Sequence, residues 1–391
     1  MKFTSLAVLS LFIGASAFAQ TAPKDSTEKK PAPPNYTIKN PRLLMGADQP
    51  KDNSNIVLAS QFAGALAIKA EAGQDYLSNI QQLTFGGENT SPSFSPDGSR
   101  VIFEARSFNG TTCKQIYSLT LNGTEPARVS TGRGEAQWAS FSPKQNRVLF
   151  TSTHEMIDGT CPPPTDVELK NPIAINALYD LYVRDSAGTV VAVTNDKKVF
   201  DGIASISPDN KKIVFSSTRS GDVDLFLLDL EKNQIRQLTS DEGFEGFARF
   251  SPDGKKIVFC AMRAMGDGVK TYRRTLIGGN VNLSTAEIYV MDLDSNTLTQ
   301  MTANGALNTQ PIFAPSGEAI MFASNMHDTD RMDMAIYAQK LTGGAPVQVV
   351  NSQASEQYPM FSPDGRKFLF VSDYGAKQKG EKNIFVGDWK H

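Results

Sequence analysis

The chain has 391 residues, of which 40% are hydrophobic, a composition that supports a large buried core. This length suits two average domains or one large all-β domain. The formal net charge is −2 and the isoelectric point is about 6.0. Because a nucleic-acid binder needs a basic face to displace phosphate counterions, this balance argues against a nucleic-acid partner.

The N-terminal residues, MKFTSLAVLSLFIGASAFA, combine a lysine, an apolar run and an A-F-A ending. This pattern is typical of a secretory signal peptide over residues 1–19, cleaved near Ala19. The apolar run is shorter than the roughly 20 residues that a bilayer span needs, and no cysteine follows it for lipid anchoring. No later segment is suited to cross a bilayer. The protein is therefore expected to be exported, to the periplasm or as a secreted protein, and not to span a membrane.

The next segments lead to the main domain. Residues 20–41 are rich in Lys, Pro, Thr and Ser, which is typical of a disordered tether. Residues 42–77 include an apolar, alanine-rich stretch, for which a short helix is favoured over a strand. Then NIQQLT, from Asn79 to Thr84, has the composition of a β-strand.

Six copies of a block close to F-S-P-D-G-x-x-x-x-F follow. Proline presets φ at the second turn position, Asp tolerates the third and Gly accepts a positive φ, so each block predicts a β-hairpin. In every copy a phenylalanine stands seven residues after the proline. The prolines are Pro96, Pro143, Pro208, Pro252, Pro315 and Pro363, and the phenylalanines are Phe103, Phe150, Phe215, Phe259, Phe322 and Phe370.

Each repeat contains strand-like pieces with β-branched and aromatic residues in polar alternation. The last repeat ends at Trp389 without a fourth piece, whereas one extra strand, Asn79 to Thr84, precedes the first repeat. Residues 78–391 are therefore predicted to form an all-β fold, a six-bladed β-propeller of four-stranded antiparallel blades, in which the N-terminal strand completes the last blade. An open solenoid and a pair of β-sandwiches are the alternatives.

The variation in repeat length is concentrated between the second and third strands of two blades. In an antiparallel blade this connection opens on the face opposite the S-P-D-G turns. The insertions His154 to Leu178 and Arg263 to Ala286 are therefore expected on one face, and long loops on a rigid scaffold often carry function. The basic stretch RAMGDGVKTYRR, residues 263–274, is expected to be a solvated loop.

The same face is expected to carry two concentric rings of charge, of opposite sign, around the central channel. Basic residues or histidines follow the second strands, and acidic residues, with Asn308 as the exception, precede the hairpins. The pattern predicts either a polar binding mouth for a charged peptide, a metal ion or a sugar acid, or ion pairs between blades. The candidate binding residues are Arg106, His154, Arg219, Arg263, His327, Glu88, Glu135, Asp201, Glu245 and Glu356.

The three cysteines are predicted to differ in state. Cys113 and Cys161 lie in corresponding loops of neighbouring repeats in a chain that is expected to be exported, which predicts a disulfide between them. This disulfide would pin the insertion of the second repeat. Cys260 follows Phe259 in an apolar strand and is predicted to be a buried small hydrophobic residue.

The sequence contains no motif for catalysis. The G-x-S-x-G nucleophile elbow is absent, and the histidines His154, His327 and His391 are not clustered as a zinc site requires. We therefore predict no catalytic residues, no metal and no cofactor. A two-histidine metal site completed by Asp328 or Glu155 is a minor alternative.

The repeats resemble those of the TolB-like β-propeller family. QLTFGGENTSPSFSPDGSRVIFEA, RQLTSDEGFEGFARFSPDGKKIVFCAMR and EQYPMFSPDGRKFLFVSD are close to the family pattern, and the resemblance covers about Asn79 to Trp389. In TolB, a periplasmic protein of Gram-negative bacteria, the propeller binds a peptidoglycan-associated lipoprotein. The resemblance implies a non-catalytic exported scaffold with a protein or peptidoglycan-associated envelope partner, and we expect a monomer.

The chain departs from TolB ahead of the propeller. TolB has an N-terminal α/β domain there, whereas only a short segment of this chain, near Leu43 to Tyr76, has an ordered character. The resemblance therefore carries the fold and leaves membership of the Tol–Pal machine open. The alternative hypothesis is a propeller enzyme, a polysaccharide lyase or hydrolase with its site in the central mouth. Some propeller lyases hold a metal with several histidines, and the scarcity of histidine argues against that alternative.

Overall fold

The computed structural model describes most of the chain from residue 76 onward. The predicted signal peptide, the predicted tether and the segment that follows it up to residue 75 lie outside the described residues. The described ranges are 76–106, 113–122, 126–157, 161, 172–328, 330, 333–350, 352 and 354–390.

Six four-stranded antiparallel sheets, the blades of a propeller, make up nearly all of the described chain. The first strand in the chain is β1 (Leu77–Gln82). Blade 1 contains β2 (Glu88–Phe94), β3 (Arg100–Arg106), β4 (Gln115–Thr120) and β5 (Ala127–Arg128). Blade 2 contains β6 (Ala136–Phe141), β7 (Val148–Ser152), β9 (Asp180–Arg184) and β10 (Val190–Ala192), with β8 (Pro172–Ala174) inserted after β7. Blade 3 contains β11 (Asp201–Ile206), β12 (Lys212–Ser217), β13 (Asp224–Asp229) and β14 (Gln234–Gln237).

The second half of the chain repeats this organisation. Blade 4 contains β15 (Gly243–Phe250), β16 (Lys256–Arg263), β18 (Glu287–Asp292) and β19 (Leu298–Gln300), with helix α1 (Asp267–Ile277) and β17 (Asn280–Asn282) inserted after β16. Blade 5 contains β20 (Asn308–Phe313), β21 (Ala319–Ser324), β22 (Ala335–Lys340) and β23 (Val347–Val350). Blade 6 contains β24 (Glu356–Phe361), β25 (Lys367–Ser372), β26 (Asn383–Trp389) and β1. The predicted six-bladed, all-β architecture is confirmed.

Strand β1 forms the outer edge of blade 6, where it pairs antiparallel with β26. In this register Leu77 faces Trp389, and Gln82 faces Phe385. The side chains of Leu77 and Ile80 are buried in the core of the blade. The strand begins at Leu77 rather than at the predicted Asn79, and it occupies the place of the fourth strand that the last repeat lacks.

A network of serine and aspartate explains the S-P-D-G pattern of the hairpin turns. In blade 4 the Ser251 hydroxyl donates to Asp253 Oδ1 at 2.5 Å, and the Lys255 amide donates to the same oxygen at 3.0 Å. The Lys256 amide in turn donates to Ser251 Oγ at 2.9 Å. The hydroxyl thus links the turn to the first residue of the second strand. The same Ser–Asp contact recurs at Asp97, Asp209 and Asp364.

The turns also join neighbouring blades. A Cβ atom added to Gly317 would lie 3.8 Å from Pro252 Cδ of the preceding blade, and one added to Gly98 would lie 3.9 Å from Pro363 Cδ. Blade 1 therefore packs on blade 6 through the same turn contact that joins blades 4 and 5. This repetition makes the arrangement of blades a continuous ring.

An aromatic pair lies between the second and third strands of every blade. All six phenylalanines of the repeat are at most 2% exposed. Such pairs add about 0.5–1.5 kcal/mol beyond the burial of their surface, which gives the phenylalanine of the motif its structural role. The pairs are Phe103–Tyr117, Phe150–Tyr182, Phe215–Phe226, Phe259–Tyr289, Phe322–Tyr337 and Phe370–Phe385.

Every innermost strand carries a β-bulge at the same position. One residue in each bulge has a left-handed φ between 51° and 55°, although none of the six is glycine. These residues surround a narrow space of about 30 Å³ on the central channel, between a wider cavity on each face. They are Ser91, Trp138, Ile203, Phe247, Gln310 and Tyr358.

Candidate functional site

The two long insertions meet above one end of the channel. Strand β8 from blade 2 pairs antiparallel with β17 from blade 4, and Ile173 faces Val281 in this register. Val281 is fully buried, and the Ile175 amide donates to the Gly279 carbonyl at 2.7 Å. We call the described residues of 154–178 and 263–286 the insertion platform.

Helix α1 replaces the solvated loop that was expected at residues 263–274. Its Tyr272 side chain is buried, and the hydroxyl donates to the Gly243 carbonyl at 2.6 Å and to the Asp222 carboxylate. Arg273 forms ion pairs with Asp222, at 3.3 Å, and with Glu242. These contacts anchor the helix to the propeller. The signal for the helix in the sequence is the spacing of Tyr272 and Leu276, four residues apart, which places both on one helix face.

The predicted disulfide is present between Cys113 and Cys161. It connects the loop between β3 and β4 of blade 1 to the insertion of blade 2. Cys260 is free and buried, and its thiol pKa is raised to about 12 by burial. Both predictions about the cysteines are confirmed.

A cavity of about 310 Å³ lies beneath the insertion platform. Its wall is charged where blades 6, 1 and 2 approach the channel, and apolar where blades 4 and 5 and the platform cover it. The charged wall consists of Glu88, Glu104, Arg106, Lys114, Glu135 and Lys382, and the apolar wall includes Ile173, Phe247, Leu283 and Leu307.

Lys114 is the centre of the charged wall. Its Nζ lies 3.0 Å from Glu88 Oε1 and 3.9 Å from Glu104 Oε2. Burial alone would lower the pKa of Lys114, but the two carboxylates outweigh this effect and raise it. Glu104 also accepts the backbone N–H of Trp138, at 2.5 Å. The wall is therefore a coupled network rather than a set of independent charges.

The second cationic partner of this wall links two blades. Arg106 Nη2 lies 3.0 Å from Glu135 Oε1, so the ion pair connects the end of β3 to the residue before β6. Burial raises the pKa of Glu135, and Arg106 opposes this shift. On the other side of Lys114, burial lowers the pKa of Lys382 while Glu88 opposes the change.

The ten predicted binding residues do not lie in two uninterrupted rings. Glu88, Arg106 and Glu135 line the cavity. Arg219 forms a bidentate ion pair with Asp201 inside blade 3, with Nη2 2.7 and 2.8 Å from the two carboxylate oxygens.

The other five candidates occupy separate positions. Arg263 lies 3.0 Å from Glu245 within blade 4. His154 is buried with its ring centroid 4.2 Å from that of Tyr182. His327 is exposed, whereas Glu356 is buried and accepts hydrogen bonds from Ser352.

The repeat pattern of the sequence does not point to Lys114, Glu104 or Lys382. Lys114 and Lys382 each stand immediately before a third strand of a blade, at Gln115 and Asn383. The equivalent residues of blades 2 and 5, Tyr179 and Met334, also line the cavity. In these four blades the residue immediately before the third strand lines the cavity. This equivalence can be recognised in the sequence only after the six repeats are aligned on their third strands.

Two other features are absent from the described ranges. The described side chains include no group of three or more His, Cys, Asp and Glu suited to hold a metal ion. In the part of the chain that the structure describes, no helix is both long and apolar enough to cross a membrane.

Comparison with known proteins identifies the propeller type. No protein-family profile matches the sequence. The TolB homolog of Chlorobium luteolum is 26% identical, over 46% of this chain and 52% of the relative, so the chain spans about half of that protein. The structure of TolB from Acinetobacter baumannii superposes with a TM-score of 0.50 at 17% identity, over 78% of this chain and 64% of that chain. The chain carries a TolB-like β-propeller.

The TolB-like propeller is also similar to an enzyme structure. An oligogalacturonate lyase in complex with manganese superposes with a TM-score of 0.51 at 14% identity, over 86% of this chain and 99% of that chain. At this identity the likeness concerns the fold alone. Function must therefore be argued from the residues of the site.

Proposed function

We propose that this protein is an exported, non-catalytic TolB-like scaffold that binds a protein partner of the cell envelope through its insertion platform. The observation that carries the proposal is the exposure of large apolar side chains there. Met265 is 80% exposed and Ile277 is 87% exposed, just before helix α1 and at its last residue. Met156 and Leu178, at the two ends of the other insertion, are also exposed.

The rigidity of the platform supports this proposal. Helix α1 is held by the buried Tyr272 and by the ion pairs of Arg273, and β8 is held by β17. A surface that is already ordered loses less conformational entropy on binding, so its apolar contacts contribute more to affinity. Methionine and aromatic residues are enriched in protein interfaces relative to the rest of the surface.

The predicted binding residues have two roles in this proposal. Glu88, Arg106 and Glu135 line the cavity beneath the platform, where they would contact a side chain that the partner inserts. The buried pair of Arg219 and Asp201 would support the rim without contacting the partner. The protein would act as a monomer in the periplasm, as its TolB-like propeller and its N-terminal sequence suggest.

The proposal is tested by crosslinking in cells. A photoreactive amino acid at Lys270, an exposed residue of α1, should capture a defined envelope protein. The double variant Met265→Ser and Ile277→Ser should reduce this capture at least tenfold, because it removes the apolar anchors. Both side chains are exposed, so the melting temperature should not change.

The matched control is the double variant Leu298→Ser and Val347→Ser. These two side chains are also exposed but lie on the outer strands β19 and β23. The control should capture the same partner as the unmodified protein. Equal capture by the platform variant and the control would contradict the proposal.

A second candidate function is a propeller enzyme acting on an acidic polysaccharide, as a lyase or hydrolase, in the central cavity. The observation that favours it is the charged wall, where the Lys114 ammonium lies between Glu88 and Glu104. Cleavage of oligogalacturonate or a related polymer, assayed with and without added divalent metals, tests this candidate. Activity that is abolished by Lys114→Met and retained by Lys270→Met would favour the enzyme over the scaffold.

A further inference from the structure

The face that carries the hairpin turns has a cavity of its own, about 360 Å³ in volume. It lies at the other end of the channel from the insertion platform, beyond the bulge residues. The six turn prolines line it, together with the residue that precedes each Ser-Pro pair. We call it the turn-face cavity, and its apolar wall contains Phe94, Phe141, Ile206, Phe250, Phe313 and Phe361.

Six equivalent residues form the inner end of this cavity. Each follows the bulge of its innermost strand, at the point where regular pairing with the second strand resumes. Arg249 of blade 4 is the one charged member of these six. The set is Ser93, Ser140, Ser205, Arg249, Ile312 and Met360.

The guanidinium of Arg249 is poorly satisfied. Among the described residues it makes one hydrogen bond, a long one of 3.5 Å from Nη1 to the Ala204 carbonyl. No carboxylate of the described chain lies within ion-pairing distance of it. Burial lowers the pKa of Arg249 to about 10, and no neighbouring acid opposes the shift.

This arrangement costs stability unless something else occupies the cavity. A guanidinium offers five N–H donors in a planar fork that matches a carboxylate. Arg249 is partly buried, and a cation that is partly buried without a partner is unfavourable because it loses hydration without compensation. The other five members of the set show that an uncharged residue fits this position. Arg249 therefore has the character of a ligand-binding group rather than a structural one.

A second polar group of this set also lacks hydrogen-bond partners. Ser140 is buried, and its Oγ has no hydrogen-bond partner among the described residues. It belongs to the same set of six and lines the same cavity as Arg249. An anionic head group would supply acceptors for Arg249, while the surrounding phenylalanine and proline rings would contact an apolar body.

We propose that the turn-face cavity binds an aliphatic monocarboxylate, with its carboxylate against Arg249 and its alkyl chain along the apolar wall. The volume is within the range of about 300–1,000 Å³ that is typical of small-molecule sites. A peptide C-terminus is less suitable, because its amide groups would lie against phenylalanine and proline rings that cannot satisfy them. The site is on the opposite face from the insertion platform, so it is independent of the partner proposed above.

Isothermal titration calorimetry with octanoate tests the proposal. The unmodified protein should bind octanoate and should bind its neutral analogue octanamide at least tenfold more weakly. Arg249→Met should weaken octanoate binding at least tenfold and bring it to the level of octanamide, because the charge-assisted hydrogen bonds are lost. Arg249→Lys should give intermediate affinity, since it keeps the charge without the planar fork.

A matched control makes the same change elsewhere. Arg236 is exposed on β14, so Arg236→Met should bind octanoate like the unmodified protein. The melting temperature supplies a second measurement. Arg249→Met should melt at or above the temperature of the unmodified protein, because an apolar side chain replaces a poorly paired cation. A lower melting temperature for Arg249→Met would mean that Arg249 is structural and would overturn the proposal.

Three further outcomes would also overturn it. One is the absence of octanoate binding to the unmodified protein. Another is equal octanoate binding by the unmodified protein and Arg249→Met. The third is binding of an N-acetylated apolar tetrapeptide with a free C-terminus but not of octanoate, which would assign the cavity to a chain terminus. The platform variant of Met265 and Ile277 should bind octanoate like the unmodified protein. The proposal for the turn-face cavity can therefore be contradicted without contradicting the proposal for the insertion platform, and the reverse also holds.

Discussion

Buried acids of this propeller differ in what compensates their charge. Both carboxylate oxygens of Asp201 accept hydrogen bonds from Arg219 Nη2. Glu356, on the innermost strand of blade 6, instead accepts neutral hydrogen bonds from the Ser352 amide and hydroxyl. Burial raises the pKa of Glu356 to about 7, because these bonds compensate only part of the lost hydration and Asp373 and Asp333 add repulsion.

The raised pKa of Glu356 predicts a pH dependence of stability. The folded-state pKa of Glu356, about 7, exceeds its reference value of 4.5, so the folded state binds this proton more tightly than the unfolded state. The resulting stabilisation is fully present below pH 4.5 and is lost as the pH rises through 7. Its upper limit is about 3 kcal/mol. Thermal unfolding of Glu356→Gln between pH 5 and 8 should therefore show a smaller fall in melting temperature than the unmodified protein.

The control for this measurement is Glu318→Gln, at an exposed glutamate of a hairpin turn. This variant should reproduce the pH profile of the unmodified protein. If Glu356→Gln instead follows the same profile as Glu318→Gln, the Glu356 side chain does not titrate in this range.

Individual elements of the protein obtain their stability from different sources. The hairpins are locally encoded, because the Ser–Asp contacts lie within a few residues of each turn. The structure of the insertions depends instead on contacts with residues distant in the sequence. Strand β8 exists because β17 pairs with it across two blades, and α1 is held by contacts of Tyr272 and Arg273 with residues of blade 3 and the connection into blade 4.

The disulfide is the covalent anchor of the platform and gives a prediction at this level. Cys113 and Cys161 are separated by 48 residues, and closing a loop of this length stabilises the folded state by about 4 kcal/mol in the chain-entropy description. The double variant Cys113→Ala and Cys161→Ala should lower the free energy of unfolding by about 2–4 kcal/mol in urea denaturation. It should also capture less of the platform's partner.

Reducing agent provides the internal control for the disulfide. The unmodified protein should lose stability when a reductant is added, and the double variant should not respond. An unmodified protein whose unfolding midpoint is the same with and without reductant would show that the disulfide does not constrain the chain.

Strand β1 lies on the outer edge of blade 6, where it pairs with β26. It therefore joins the segment that precedes the six repeats to the last strand of the chain. Removing β1 would expose the edge of β26 and the core that Leu77 and Ile80 cover. Unpaired strand edges also promote aggregation.

A chain that begins at residue 85 after its initiating methionine should therefore be strongly destabilised. The loss of the two buried side chains alone costs about 2–5 kcal/mol each. Calorimetry should show a clearly lower melting temperature, and light scattering should show aggregation. The comparison is a chain that lacks only residues 20–41, the predicted tether, which should melt like the full chain. Equal melting of both truncated chains would refute the role of β1.

The architecture was predictable because the residues that define a blade lie within one repeat and the repeat occurs six times. The turn residues, the phenylalanine of each hairpin and its aromatic partner all follow one another within one repeat. The missing fourth strand of the last repeat and the extra strand before the first also followed from counting pieces of sequence. The disulfide could be predicted from the same alignment, since its two cysteines occupy corresponding loops of neighbouring repeats.

The chemistry of the two cavities depends on distances between side chains of different strands and different blades. Lys114 owes its raised pKa to carboxylates brought to it by other strands of blade 1, and Arg249 is distinctive only because five equivalent strands place uncharged residues around it. A repeat pattern states which residues are equivalent, because equivalence depends on local spacing. It does not state which charges are paired or buried, because pairing depends on how strands meet within a blade and between blades, and burial depends on how the blades pack around a common axis. Only the tertiary structure determines both.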